Sequence, residues 1–318
     1  MLRLEHQIRL VRERTKNLDF TVDASGNTTS GISDTRIIQY FNDAQDHLQA
    51  AIITLFPNEF IVQKEISIVA NQEEYTIPDH VFINNKIVCV EYNSNNNSTD
   101  YDTLRQGTIR DRNTAKGWPS YYIRRSGKIL LNPIPQSSQG KIRVSYYREL
   151  DDLDIRRGKI SAVSGVTSTT FTNIDLTDTD PVPDETSKPI NLTNTDYICT
   201  VDRYGAVKAY AIPVNTYTTS SDLLTPTAAH VFGTGETVAV GQWVVFGKYA
   251  TTQSALPDNC ERYLLTYVQK RLMTTDESNT SLEEDAELKT IESDILNSFS
   301  EESREPDYIT LLDTEITI

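Results

Sequence analysis

The chain has 318 residues, room for two domains or for one domain with a large insertion at a usual domain size of about 100–200 residues. Apolar residues make up 38% and charged residues 24%, a balance that sustains a packed core and excludes disorder of the whole chain. The formal charge of −15 argues against general wrapping of nucleic acid, because a surface of that sign gains nothing from the release of phosphate counterions.

Cys89, Cys199 and Cys260 lie far apart. An odd, sparse set makes neither a disulfide framework nor a metal knuckle, so the three read as small buried apolar residues in a reducing compartment. No run of about 18 apolar residues occurs, so no transmembrane helix is expected. The opening Met1 to His6 leads into mixed charge rather than an apolar core, which does not fit a signal peptide. A soluble product is the expectation. Charge is placed unevenly. Residues 1–16 hold five bases (Arg3, Arg9, Arg12, Arg14 and Lys16) and two acids, whereas residues 275–318 hold fourteen acids and two bases. A basic head and an acidic tail can attract one another between subunits; two solvated helix faces give the same pattern.

In chain order, Leu4, Ile8 and Val11 are spaced for one face of a helix within 2–18. Residues 23–31 have loop composition. Ser33 caps a second helix, in which Ile37, Phe41, Ala44, Leu48, Ile52 and Leu55 form a stripe that Pro57 ends. Strands are predicted at 60–69, 75–78, 86–92, 120–123, 128–133 and 141–147, with turns at Ala70 to Gln72, at Ser126-Gly127 and at Gln136 to Gly140. A spacing of about ten residues per strand indicates an antiparallel sandwich or barrel. Shorter, Thr-rich strands follow at 159–163, 169–174, 197–201, 237–240 and 243–248, and 175–195 reads as an exposed loop. Helices return after Pro257-Asp258, with Tyr263, Leu264, Tyr267, Val268 and Leu272 apolar. A capping box at Ser281 to Glu284 precedes a further stripe of Leu288, Ile291, Ile295 and Phe299.

The fold class expected is therefore α+β. N- and C-terminal helices form a hub (1–57 with 251–300), an antiparallel β-sandwich or barrel lies between them (58–155), a small β domain is inserted (156–250), and 301–318 is an extended tail.

Enzyme signatures are absent: no Gly-x-x-x-x-Gly-Lys, no Gly-x-Gly-x-x-Gly, no Gly-x-Ser-x-Gly, and four scattered histidines without a His-x-x-x-His pair. Asp178, Asp180 and Asp184 lack the glycine and terminal glutamate of a calcium loop. No catalytic, cofactor or metal site is expected. The pairs Tyr121-Tyr122 and Tyr146-Tyr147 place one ring on each face of a strand, leaving Tyr122 and Tyr147 as candidates to meet a partner.

Several short motifs stand in a recognisable order: Thr35 to Gln45 (TRIIQYFNDAQ), Gln72 to Pro78 (QEEYTIP), Pro119 to Ile123 (PSYYI), Ile129 to Pro133 (ILLNP), Val144 to Arg148 (VSYYR), and Leu256-Pro257-Asp258 through Leu272. In these the chain resembles the head-to-tail adaptor, or ring, proteins of short-tailed bacteriophages, over about 1–155 and 251–300. Its Asn-rich composition and its insertion are similar to ring proteins of crAss-like phages. The resemblance implies a structural virion protein of the neck, assembled in the host cytoplasm. About twelve copies would form a ring between the portal protein and downstream ring or tail proteins. Genomic DNA would pass through the lumen without specific binding, and no membrane is involved. Interface candidates are then Arg3, Arg9, Arg12, Arg14, Lys16, Tyr122, Tyr147, Asp307 and Tyr308, with residues 1–18 and 300–318 ordered only by neighbours. An alternative is a tail-associated protein that binds host glycan through 156–250.

Overall fold

A computed structural model describes residues 2–15, 21–22, 28–30, 32–82, 87–94, 100–112, 114–164, 173–177, 197–218, 223–226, 235–274 and 286–302. The chain divides into two compact units, Met1–Leu55 with Asp151–Ile318, and Phe56–Leu150. Among the described residues it is mixed α+β, with four α-helices and a six-stranded barrel.

Helix α1 (Leu4–Thr15) buries Leu4, Ile8 and Val11 on one face, with Glu5 in its first turn and Arg12 and Arg14 in its last, the signs that favour a helix dipole. A short hairpin of β1 (Thr21–Val22) and β2 (Thr28–Ser30) follows. Helix α2 (Asp34–Leu55) starts where Ser33 Oγ accepts from the Arg36 amide at 3.4 Å, and its stripe Ile37, Phe41, Ala44, Leu48 and Ile52 is wholly buried.

The second unit is built from β3 (Ile61–Ser67), β4 (Glu74–Thr76), β5 (Ile87–Asn93), β6 (Asp102–Thr103), β7 (Arg105–Gly107), a single 3-10 turn at Ile109–Asp111, β8 (Lys116–Gly117), β9 (Tyr121–Arg125), β10 (Lys128–Asn132), β11 (Ile134–Pro135) and β12 (Lys141–Tyr147). One sheet has the order β4-β10-β9-β7 and the other β3-β12-β5-β6, while β8 and β11 pair separately. One core draws on both sheets: Tyr75, Tyr122, Ile129 and Leu131 from the first, Val90, Tyr92, Ile142 and Val144 from the second. The β9–β10 hairpin closes on Ser126-Gly127, both with positive φ (45° and 76°), as a two-residue turn between right-twisted strands requires.

The chain then returns to the first unit through β13 (Asp152–Leu153). The barrel comprises β14 (Gly158–Ser164), β15 (Asn173–Thr177), β16 (Tyr197–Val201), β17 (Val207–Thr218), β18 (Leu223–Pro226) and β19 (Trp243–Phe246), closed in the order β14-β15-β18-β17-β16-β19. Its interior is filled by apolar side chains, among them Ile160, Ile174, Ile198, Ile212, Leu224 and Val244. Alternate residues face the other way, so Cys199, Val201 and Val245 join a second cluster with Ala250 of β20 (Ala250–Thr251), which pairs in parallel with β13. Helix α3 (Glu261–Thr274) packs on α1 and α2, and α4 (Ala286–Glu302) packs on α3 and α2 with Leu288, Ile291, Ile295 and Phe299 buried.

Two strand expectations are corrected. Thr237–Val240 is not a strand, whereas β17 and β18 are strands that the sequence reading did not pick out. In β17 the alternation breaks at Ala211, whose φ of 50° marks a shift of register, and Pro213 lies in the same strand. The expected helix cap at 281–284, the aspartates 178, 180 and 184, and most of the predicted loop 175–195 lie outside the described residues.

Candidate interaction surfaces

The basic head is held by its own unit. The Leu2 amide donates to Glu261 Oε2 at 3.1 Å and the Leu4 amide to the Thr252 carbonyl at 2.9 Å. Arg156 grips Glu5 with two side-chain bonds of 2.6 and 2.9 Å. Residues 2–15 therefore have a buried face and partners within the chain, which corrects the expectation that neighbours alone order them.

Of the head's bases, Arg3, Arg9 and Arg14 are exposed, and Arg9 pairs with Glu13 one turn on at 3.0 Å. Arg12 is not available to a partner. It is 4% exposed, donates through Nη2 to Asp34 Oδ1 at 2.6 Å and to the Ile32 carbonyl at 2.8 Å, and so pins α1 to the start of α2. Lys16, Asp307 and Tyr308 lie outside the described residues.

The tyrosine candidates are corrected as well. Tyr122 stands opposite Leu131 in the core of the second unit and is 5% exposed; Tyr147 stands opposite Ile61 and is 6% exposed. Alternation alone assigns one ring per pair to solvent. Here Tyr146 and Tyr147 are both buried, because β12 is a central strand covered on each face at that end. Tyr121 is half-buried, and its hydroxyl donates to the Asp111 carbonyl.

A different surface emerges in the second unit. Residues 105–128 contain seven bases (Arg105, Arg110, Arg112, Lys116, Arg124, Arg125 and Lys128) and one acid, Asp111, and all seven bases are exposed. The segment is tied together locally. Strand β7 runs parallel to β9, with Arg105 opposite Tyr121, and the Arg105 amide donates to the Ser120 carbonyl. Asp111 accepts from both the Thr108 amide and its hydroxyl at 2.8 Å, which holds its carboxyl below the ordinary value of 3.8. Arg112 makes a two-pronged pair with Glu73, each bond 2.7 Å, and Lys128 pairs with Glu74 at 2.5 Å. The Lys128 hydrogen bond and charge, with smaller contributions from Arg125 and Arg112, lower the Glu74 carboxyl. Arg105, Arg110, Lys116 and Arg125 have no acid within ion-pair reach among the described residues. Two large apolar side chains stand exposed in the same segment: Ile109 at 54% and Trp118 at 61%. Reading charge only at the two chain ends missed this surface; a running tally of bases and acids across 105–128 finds it.

An open groove of about 550 Å³ also lies along the edge strands β3 and β4, lined by Lys64 to Ser67, Gln72, Glu74 to Ile77 and Asp79. Among the described residues no group of three His, Cys, Asp or Glu side chains is arranged to hold a metal ion, and no helix is long and apolar enough to cross a membrane.

The described residues thus form an α+β chain with a two-sheet unit, a filled barrel and charged exposed surfaces. The sequence matches the family model of the SU10 adaptor protein over residues 8–185, and the chain belongs to that family: it is a structural adaptor of bacteriophage. No curated protein gives a significant match.

Proposed function

We propose that this adaptor assembles into a closed ring of about twelve copies between the portal protein and the tail, joining head to tail and enclosing the DNA channel. The observation that carries the reading is the extent of the family match, which runs from α1 through the whole two-sheet unit into the barrel strands and so is not confined to a detachable binding module. Charge asymmetry supports it. Residues 56–150 hold twelve bases and ten acids, whereas the rest of the chain holds eighteen bases and thirty-five acids. Such a subunit suits heterologous contacts, in which one patch meets a different patch on the next copy. An overall acidic wall lets DNA slide without adhering. In this reading the helices of 1–57 and 251–300 act as the hub, and the β regions 58–155 and 156–250 offer contact surfaces. Arg3, Arg9 and Arg14 serve contacts with the portal or a neighbour, and 301–318 is a connecting arm.

Co-expression with the portal protein of the same virion, followed by electron microscopy, tests this. An annulus of extra density on the portal is expected; a chain that stays monomeric and off the portal overturns it. Deleting 303–318 is expected to weaken ring formation and leave the melting curve of the subunit unchanged, because that stretch lies past the last buried helix face at Phe299.

A further inference from the structure

The acidic end of the chain has a complement beyond the basic head. Arg12 is spent on Asp34, Arg9 on Glu13, and α1 is bound to its own unit. Further exposed cations with no acid within ion-pair distance among the described residues, Arg105, Arg110, Lys116 and Arg125, lie on the second unit, in the same 105–128 stretch as exposed Ile109 and Trp118. We propose that the surface formed by Arg105, Arg110, Lys116 and Arg125, with Ile109 and Trp118 as its apolar contacts, receives the C-terminal segment 303–318 of a neighbouring copy.

Three properties of that segment fit the surface. It carries four acids (Glu305, Asp307, Asp313 and Glu315) against one base, Arg304, so its charge opposes that of the site. It also carries Tyr308, Ile309, Leu311 and Leu312, and a stretch combining acids with large apolar residues matches a site combining arginines with an exposed indole and an isoleucine. Its sixteen residues follow Glu302 at the end of α4, and a fully extended chain of that length spans about 50 Å. Tail and receiving surface are different patches, so the contact is head-to-tail and propagates around a closed ring. Duplex DNA is the competing occupant of a basic surface. The apolar half of the site favours the tail, since DNA backbone contacts draw on charge and hydrogen bonding.

The inference rests on the ring reading above, and a charge swap separates the two. Two full-length variants are made, a surface reversal (R105E/R110E/R125E) and a tail reversal (E305K/D307K/D313K/E315K). Each alone is expected to raise the concentration needed for ring assembly on the portal by at least about tenfold. Mixed together they are expected to restore rings, because the acidic surface of one meets the basic tail of the other and the converse contact is also intact. Either variant assembling like wild type overturns the inference, as does a mixture that stays dispersed. Restoration by mixing also excludes docking of each tail onto its own subunit. Matching melting curves establish that the variants fold, and the neutral set R105Q/R110Q/R125Q is expected to weaken assembly less than the reversal. Absence of wild-type rings counts against the ring reading itself. In that event a labelled 303–318 peptide is added to the tail-reversed chain and its anisotropy followed. Patch-dependent binding that weakens from about 0.05 to about 0.5 M salt upholds the docking site. No binding, or binding unchanged by the surface reversal, overturns it. Patch-dependent binding of short duplex DNA tighter than that of the peptide reassigns the surface to nucleic acid and overturns the inference.

Discussion

Arg12 and Asp34 form an ion pair 22 positions apart in sequence that is closed to solvent on both sides, with side-chain exposures of 5% and 0%. The arginine leaves the last turn of α1 and the aspartate opens α2, where a carboxylate is also favoured by the helix dipole. Two donors reach Asp34 Oδ1, at 2.6 and 3.1 Å, and a third bond goes to the Ile32 carbonyl. Such a pair is worth little compared with well-packed apolar residues, but removing one partner strands a buried charge.

Asp34→Asn and Arg12→Met are therefore each expected to destabilise the fold by about 3–5 kcal/mol, whereas the double variant R12M/D34L costs less than either alone. Arg9→Ala, at the exposed end of a one-turn pair, is expected to stay within about 0.5 kcal/mol of wild type. Urea unfolding midpoints of the four variants check this, and equal losses for Arg9 and Arg12 would contradict it.

Asn42 behaves like one residue of a strand. Its Oδ1 accepts from the Leu153 amide at 2.7 Å and its Nδ2 donates to the Leu153 carbonyl at 3.2 Å, so a helix side chain completes the free edge of β13. One turn on, Gln45 donates to the Asp151 carbonyl at 3.0 Å and accepts from Ser254 at 2.6 Å. Together they fix where the chain leaves the helices for the barrel. Asn42→Leu keeps the branching at Cγ but leaves the Leu153 amide and carbonyl unmatched, so a loss of about 1–3 kcal/mol is expected. Amide hydrogen exchange is the sensitive readout: faster exchange at Leu153 and along β20, with the second unit unchanged.

Gly140 enters β12 with φ of +109°, and a Cβ built there falls 2.3 Å from the Asn93 carbonyl oxygen. That neighbour is backbone on β5, so it has no side-chain freedom with which to yield. Gly140→Ala is expected to cost more than about 2 kcal/mol, combining backbone strain with the clash. Gly127, at φ of +76° with open space around it, is the control; Gly127→Asn is expected to cost under about 1 kcal/mol, since asparagine tolerates this region. Thermal melts of the two variants make the comparison.

How much of this was legible in the sequence depends on whether a residue's role is local. Helix α2 was readable because its apolar stripe repeats at steps of three and four, and Lys141–Tyr147 was read to the residue because β-branched and aromatic side chains run between Gly140 and Arg148. Strand β17 was not, since a register shift at Ala211 breaks the period of two. Arg12 was counted with the basic head because its partner lies 22 positions away, beyond any local pattern. Tyr122 and Tyr147 were misassigned because alternation tells the two faces of a strand apart but not whether both are covered. The basic surface depends on which cations lie within ion-pair distance of an acid, and that is settled only when Glu73 is seen to pair with Arg112 and Glu74 with Lys128.

The thiols offer a test of barrel integrity. Burial between β16 and the segment after β19 pushes the Cys199 thiol up to about 11, and its sulfur lies 3.3 Å from the Gly247 and Lys248 carbonyls. Burial in the turn that leads into α3 pushes Cys260 up to about 12. Both shifts keep the thiolate, which is the reactive form, scarce at pH 8. Cys89, half-buried on β5, has no such shield. Alkylation of the native protein at pH 8, followed by peptide mass spectrometry, is expected to modify Cys89 first. Cys199 and Cys260 are expected to react only as urea unfolds their unit. Cys199 sits outside the barrel's apolar filling, covered by the segment Gly247 to Ala250, so rapid labelling there without denaturant would mean that this cover over β16 opens in the native state.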